Sequence, residues 1–141
     1  MEILAKSTTE TKKLAVRVAG ELKPGDVLVL YGNLGSGKTT FVQGLVEALG
    51  FEAKVQSPTF IVVRHYLGGK NPSGIEKINH VDLYRIQDES ELANLGIQDM
   101  LTNSESVTIV EWPELVEKYL PKTAKVIKFE VVDENTRKIT V

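Results

Sequence analysis

The sequence predicts an α/β protein with three layers, in which helices cover both faces of a mostly parallel central sheet that has antiparallel additions. Three observations lead to this prediction. A continuous apolar run, Val27 to Tyr31, has the length and composition of a strand buried on both faces. Apolar residues recur at helical spacing before and after it, and strand-like runs dominate the second half of the chain. We predict that residues 1–141 form one domain.

Helices alternate with strands in the first half of the chain. Ser7 and Glu10 have the spacing of a capping box, which predicts a helix over Thr8 to Glu21. A second helix is predicted over Thr39 to Leu49, because apolar side chains mark one side of it and Gly50 is a typical C-terminal stop.

Short helices and strands follow. A turn-rich loop at 68–74 joins two strands that we predict to form a hairpin, and Gly96 and Pro113 mark a helix end and a helix start. The strands at the C-terminal end are expected to form a second hairpin. The predicted elements, in chain order, are strands Phe60 to Val63 and Ile78 to Tyr84, a helix Glu89 to Leu95, a strand Val107 to Glu111, a helix Pro113 to Leu120, and strands Val126 to Val132 and Lys138 to Val141.

Composition excludes several classes of function. The net charge is -2, which does not favour a protein that grips nucleic acid through many phosphate contacts, so we expect no DNA binding. The chain has no cysteine, hence no disulfide, thiolate metal site or cysteine nucleophile. No apolar run reaches the 18 or more residues that span a bilayer, and Met1 to Lys6 is too short and polar for a signal peptide. We therefore expect a cytoplasmic protein without a membrane partner.

A phosphate-binding loop is the most specific motif in the chain. Gly32 to Thr39 matches G-x-x-x-x-G-K-[ST] at every fixed position, and Gly35 adds backbone freedom. In such loops, backbone N–H groups surround phosphate oxygens, the lysine (here Lys38) reaches the outer phosphates, and the Thr39 hydroxyl can ligate Mg²⁺. An ordinary glycine-rich turn is the alternative, but the strand before the motif and the helix after it favour a P-loop NTPase-like fold.

Two carboxylates at strand ends are candidates for holding the metal or the attacking water. Glu111 follows four uncharged strand residues, as in a Walker-B strand with glutamate in place of aspartate. Asp82 lies near the end of a less apolar strand, within the run Ile78 to Arg85. Either could instead be a solvated strand-end carboxylate or a helix cap, and the residues alone leave this open.

Three further side chains have both a functional and a structural interpretation. Thr59 could sense a γ-phosphate, although a proline-initiated strand entry is the simpler interpretation on geometry. Trp112 could stack on a base or belong to the core. His80 lacks the neighbours of a zinc site, so a structural or hydrogen-bonding role is its default. The segment Asn79 to Asp82 lacks the lysine of a guanine-specificity motif, which favours adenine.

Together, four runs in one order resemble the TsaE family, also called YjeE. The runs are Gly32 to Phe41, Ser57-Pro58-Thr59-Phe60, His80-Val81-Asp82-Leu83-Tyr84-Arg85 and Val110-Glu111-Trp112-Pro113-Glu114. The resemblance covers the chain from about Ser7 through at least Glu114. It implies a bacterial cytoplasmic ATPase that acts with TsaD and TsaB in making threonylcarbamoyladenosine in tRNA. Such a protein meets tRNA only through the complex, is not the transferase, and hydrolyses ATP weakly alone.

The resemblance also implies a set of site residues. By position, Thr39 and Glu111 would ligate magnesium, and Asp82 would lie near the γ-phosphate. The resemblance also implies that Thr59 belongs to a switch-like segment, that Trp112 belongs to the rim of the site, and that Ser7 to Thr11, including Thr8, lies near the adenine. The residues that it implies around the phosphates are Gly35, Ser36, Gly37, Lys38, Thr39 and Thr40. The chain departs from the family at Val81, where phenylalanine is common, and in a longer loop at 68–74. No site is assigned after Leu120, where the match is poorest.

These residues lead to the hypothesis that water attacks the γ-phosphate of MgATP directly. Lys38, the loop amides and magnesium would stabilise the developing charge, and Asp82 or Glu111 would hold the water or the metal. Two rivals remain at this point. One is a small-molecule kinase, although no arginine-rich lid segment is found, and the other is a nucleotide switch without useful turnover.

Overall fold

The computed structural model describes residues 1–52 and 62–141, and this part of the chain forms a seven-stranded sheet. The strand order across the sheet is β1-β7-β6-β2-β5-β4-β3. The strands are β1 (Glu2–Ala5), β2 (Val27–Tyr31), β3 (Val63–Leu67), β4 (Lys77–Asp82), β5 (Val107–Glu111), β6 (Lys125–Val131) and β7 (Arg137–Thr140).

The middle of the sheet is parallel, as the sequence predicts. Strand β2 runs parallel to both β5 and β6, and β5 runs parallel to β4. The antiparallel additions lie outside this core: β3 pairs with β4 at one edge, and β7 and β1 extend the sheet beyond β6 at the other. The predicted β6–β7 hairpin is confirmed, and β3 and β4 also form an antiparallel pair, although β3 shares only Val63 with the strand predicted there.

Helices cover both faces of the sheet. They are α1 (Thr8–Glu21), α2 (Lys38–Ala48), α3 (Ser90–Leu95), α4 (Ile97–Thr102) and a 3-10 helix (Pro113–Tyr119). Because side chains alternate along a strand, β2 serves two cores. Leu28 and Leu30 pack in the cluster that holds the buried faces of α1 and α2, whereas Val27 and Val29 pack with α3, α4 and the 3-10 helix. The three-layer prediction is therefore confirmed.

The long helices begin where their capping signals predict. The Ser7 hydroxyl accepts a hydrogen bond from the Glu10 backbone N–H at 3.2 Å, and α1 has the predicted bounds. Helix α2 begins at Lys38, one residue before the predicted start, and the chain turns at Gly50 with a φ of 77°. The predicted helix from Pro113 is a 3-10 helix. Among the described residues, no helix has the length and apolar character needed to cross a bilayer.

Two elements were not predicted, and one prediction cannot be compared. Strand β1 is a four-residue edge strand whose partner β7 lies at the other end of the chain, so little local pattern marks it. Helix α4 starts directly after Gly96, which both ends α3 and precedes α4 in a left-handed conformation. Half of the predicted strand Phe60 to Val63 lies outside the described residues, and β3 begins at Val63.

Candidate functional site

The ends of three neighbouring parallel strands meet at one cleft of about 490 Å³. The glycine-rich loop follows β2, while Asp82 ends β4 and Glu111 ends β5. The strand register pairs Glu111 with Leu30 on one side and with Asp82 on the other. Because ligands of open α/β sheets bind outside the carboxyl ends of the strands, this cleft is the candidate site.

The loop backbone has the form of an anion-binding turn. Gly37 has a φ of 101°, a left-handed conformation that favours glycine. A Cβ atom on Gly32 would lie 2.6 Å from the Ser36 Oγ and 2.9 Å from the Phe129 carbonyl oxygen, so the loop also has no space for a side chain there. Helix α2 starts at Lys38, and within the described part of the chain no side chain caps its N-terminus. Its first N–H groups are thus available to an anion, which the helix dipole also favours.

A buried hydroxyl in this loop has no protein partner. Ser36 is 1% exposed, and its Oγ has no hydrogen-bond partner among residues 1–52 and 62–141. Buried polar groups are nearly always satisfied, so an orphaned one indicates a missing ligand, ion or water. A phosphate oxygen in the loop would supply the acceptor.

Lys38 is buried in the cleft, with its ammonium held by neutral groups. Its Nζ donates a hydrogen bond to the Gly32 carbonyl at 2.5 Å and lies 4.3 Å from the centre of the Trp112 ring. Burial lowers the pKa of Lys38, and the nearby carboxylates of Glu111, Asp82 and Glu114 oppose that shift. A phosphate would be a charged acceptor and hence a stronger partner than the carbonyl.

Glu111 is the most deeply buried carboxylate at the site. It is 3% exposed, and its Oε2 lies 2.6 Å from Nε2 of His80, which is fully buried on β4. The other ring nitrogen of His80 lies 3.5 Å from the Tyr66 hydroxyl on β3. The hydrogen-bonding role expected for His80 from sequence is therefore confirmed, and its partner is a predicted site residue.

Asp82 is less buried than Glu111 and faces the same cleft. Its Oδ1 accepts a hydrogen bond from the Tyr84 backbone N–H at 2.9 Å. Burial raises the pKa of the Asp82 carboxyl and Glu111 adds to this, while the Tyr84 N–H, Lys38 and His80 act in the opposite direction. The net effect is a carboxylate that is destabilised until a cation or a hydrogen-bond donor enters the cleft.

This destabilisation predicts that Asp82→Asn makes the nucleotide-free protein more stable at about pH 7.5. The pKa of Asp82 is higher in the folded protein than in the unfolded chain, where it has its ordinary value of 3.8. The free energy of unfolding therefore falls as the pH rises between these two pKa values. Thermal unfolding should show a midpoint a few degrees higher for Asp82→Asn, with the gain shrinking toward about pH 4. Asp99→Asn on α4 is the control, and a lower midpoint for Asp82→Asn would contradict this account.

Trp112 forms the rim of the cleft beside Lys38. It has a φ of 54°, and it is the one residue other than glycine with a positive φ in the described part of the chain. Its ring also contacts the exposed ring of Tyr84, with centroids 4.8 Å apart. A left-handed conformation at a bulky residue persists only where the surroundings enforce it, and such positions cluster at functional sites.

The residues of the cleft fit a magnesium ion with a triphosphate. Magnesium prefers oxygen ligands and takes only one or two from protein carboxylates, the rest coming from phosphates and water. Thr39 and Glu111, the two predicted ligands, both line the cleft, as does Asp82. Among the described residues there is no cluster of three or more His, Cys, Asp or Glu side chains of the kind that holds a metal by itself.

The structure brings nearly all predicted site residues to this one cleft. Thr59 lies outside the described residues, so its predicted role has no structural test. The predicted residues that line the cleft are Thr8, Gly35, Ser36, Gly37, Lys38, Thr39, Thr40, Asp82, Glu111 and Trp112.

No site was assigned after Leu120 from the sequence, but Glu134 and Asn135 of the β6–β7 turn and Arg137 at the start of β7 line the cleft. The Arg137 Nη1 donates to the backbone carbonyls of Asp133 and Thr136, at 2.8 and 3.1 Å, which fixes the side chain against its own turn. Strand β6 is a parallel neighbour of β2, so the turn after it reaches the same edge of the sheet as the glycine-rich loop. The β6–β7 hairpin could be predicted from local sequence, but its position beside the glycine-rich loop depends on the strand order of the sheet.

Comparison with known proteins identifies the family. Residues 5–139 match the family model described as "Threonylcarbamoyl adenosine biosynthesis protein TsaE". The chain belongs to the TsaE family. The match to the family, first seen in four short runs, therefore continues beyond Glu114 and includes the β6–β7 turn at the cleft.

Individual TsaE relatives match across most of their length. The chain is 41% identical over 131 residues to a protein from Bacillus subtilis named "tRNA threonylcarbamoyladenosine biosynthesis protein TsaE", covering 93% of this chain and 78% of the relative. It is 36% identical over 143 residues to the protein of that name from Aquifex aeolicus, covering 99% and 94%. The crystal structure of Bacillus subtilis YdiB matches with a TM-score of 0.70 and 30% identity, covering 99% of this chain and 82% of that one.

Proposed function

We propose that this TsaE family member binds MgATP in the cleft, hydrolyses it, and acts with TsaB and TsaD in the formation of threonylcarbamoyladenosine in tRNA. One observation carries the proposal. A glycine-rich loop with an uncapped helix start, an ammonium group and two carboxylates from neighbouring strands line the same cleft. Family membership supports the pathway, since the relatives are named for the biosynthesis of this tRNA modification.

Each group in the cleft has a task that suits its chemistry. The loop N–H groups and the Ser36 hydroxyl would hold phosphate oxygens, and Lys38 would neutralise charge on the outer phosphates. A bound magnesium ion would supply further charge neutralisation. Glu111 and Thr39 have oxygens suited to that ion, and Asp82 would accept a hydrogen bond from the attacking water.

We expect the isolated protein to hydrolyse ATP slowly and its partners to accelerate the reaction. Arg137 is the arginine that lines the cleft in the described part of the chain, and it is held by carbonyl groups of its own turn. An arginine supplied in trans to such sites is worth about a thousandfold or more in rate. Release of phosphate from ATP, measured with and without TsaB and TsaD, should therefore differ strongly. Equal rates would contradict the need for a partner.

The pathway assignment is tested by reconstitution of the modification with purified components. Omitting this chain should leave at most a single round of threonylcarbamoyladenosine formation, while adding it should restore multiple turnovers. Full multiple-turnover product without the chain would contradict the proposed role. A phosphoryl-acceptor screen with γ-labelled ATP separates this function from a kinase, because hydrolysis yields labelled free phosphate alone.

A further inference from the structure

Three buried polar side chains in contact with one another, Glu111, His80 and Tyr66, extend from the cleft into the protein interior. His80 is fully buried, and its Nε2 lies 2.6 Å from the Glu111 Oε2. On the other side, the His80 Nδ1 lies 3.5 Å from the hydroxyl of Tyr66, which is also buried. The Tyr66 and His80 rings stack with an interplanar angle of 29° and centroids 6.2 Å apart. Neither His80 nor Tyr66 lines the cleft, and the hydrogen-bond contact from His80 to a cleft residue is the one with Glu111.

We propose that His80 is a positioning residue that fixes the Glu111 carboxylate for magnesium binding. The contact with His80 engages Oε2 of Glu111, whose side chain also lines the cleft, so His80 restricts the orientation of the carboxylate there. This inference rests on the proposed function, since it assigns His80 a role in the magnesium affinity of the same site. Hydrogen bonds to ligating groups from the surrounding protein commonly set the orientation of the ligand and the affinity for the metal.

The sheet itself holds the two side chains in place. The register sets Glu111 opposite Asp82 and places His80 opposite Ile109, so His80 and Glu111 are diagonal neighbours on one face of paired parallel strands. Both strands lie inside the sheet, with β4 between β3 and β5 and β5 between β2 and β4. A contact made between interior strands is held more firmly than one made from a loop.

The two contacts of His80 assign its hydrogen-bond roles. The carboxylate of Glu111 only accepts, so Nε2 must donate to it. Nδ1 can then accept from the Tyr66 hydroxyl. The position of Nε2 relative to the carboxylate is the feature that matters.

The variants His80→Asn and His80→Gln distinguish a positioning role of residue 80 from a role that only fills space. The side-chain nitrogen of His80→Gln can reach the place of Nε2, whereas that of His80→Asn stops near the place of Nδ1. Both variants introduce the same polar group into the same buried space. His65→Asn on β3 is a matched control, because His65 contacts Asn79 and not Glu111.

The test is a magnesium titration of ATP binding by the full chain, with ATP binding in EDTA as the reference. For His80→Asn we expect the magnesium concentration at half-saturation to rise about 10- to 100-fold. Binding in EDTA should stay within about twofold of the parent chain, since the phosphate contacts remain. His80→Gln should recover most of the magnesium affinity, and His65→Asn should behave like the parent.

Several results would overturn the role of His80. These are an unchanged magnesium midpoint in a folded His80→Asn variant, equal losses with and without magnesium, or equal effects of His80→Asn and His80→Gln. If His80→Asn does not fold, Tyr66→Phe provides the test. Loss of the Tyr66 hydroxyl should raise the magnesium midpoint by a smaller factor than His80→Asn. An unchanged midpoint would refute the proposed series of contacts from Tyr66 through His80 to Glu111. Failure of the parent chain to bind ATP in a magnesium-dependent way would instead contradict the proposed function itself.

Discussion

Replacement of Lys38 by alanine is expected to weaken ATP binding by about 10- to 150-fold, the equivalent of one charged hydrogen bond of roughly 1.5 to 3 kcal/mol. The Lys38 ammonium is buried in the cleft and is held there by the Gly32 carbonyl and the Trp112 ring. A triphosphate offers it a charged acceptor instead, so the interaction gained on binding is large. Hydrolysis should fall at least as far, because negative charge shifts onto the leaving oxygen as its bond to the γ-phosphorus breaks, and an ammonium group stabilises that charge.

Loss of the fold is not expected to account for this result. Burial lowers the pKa of Lys38, which means that the ammonium itself costs the folded protein stability, partly offset by the carboxylates of Glu111 and Asp82. Thermal unfolding and calorimetric titration of Lys38→Ala should therefore show a folded protein with weak binding. Lys13→Ala removes an exposed lysine from α1 and serves as the control. Parent-like affinity in Lys38→Ala would exclude this cleft as the nucleotide site.

Glu111→Gln should leave ATP bound but reduce hydrolysis by about 100-fold or more, the usual effect of removing one preorganised electrostatic group from an active site. The neutral amide keeps the size of the side chain but is a poor magnesium ligand. Since Lys38 and the loop backbone are unchanged, binding in EDTA should remain close to that of the parent chain. The rate of phosphate release under single-turnover conditions, measured at saturating ATP, reports the loss directly.

A matched substitution and a comparison of variants make this result decisive. Glu105→Gln changes an exposed glutamate in the loop before β5 and should keep the parent rate. A protein that needs only nucleotide binding, as a switch would, should keep its effect on tRNA modification in Glu111→Gln while losing it in Lys38→Ala. Hydrolysis at the parent rate by Glu111→Gln would remove Glu111 from the catalytic set.

The cleft was largely predictable because its main parts are local in sequence. The loop from Gly32 to Thr39 is contiguous and lies between a buried strand and a helix, so one motif predicts its position and shape. Asp82 and Glu111 were candidates because each ends a strand. That they face each other is a matter of register between β4 and β5, which no local pattern contains.

Other features depend on contacts between distant parts of the chain. The turn with Asn135 and Arg137 reaches the cleft because β6 pairs with β2, almost a hundred positions earlier in the sequence. Strand β1 forms because its backbone pairs with that of β7. Likewise, the sequence predicted a structural or hydrogen-bonding role for His80, but its contact with Glu111 requires the fold.

The central claim is that the glycine-rich loop, Lys38 and the two carboxylates form a site for a magnesium-bound nucleoside triphosphate. Isothermal titration calorimetry of the folded chain with ATP in the presence of magnesium measures this directly. We expect saturable heat with one nucleotide per chain, strongly reduced in Lys38→Ala and retained in Lys13→Ala. No heat with ATP, ADP or GTP, in a sample shown to be folded and to contain magnesium, would contradict it.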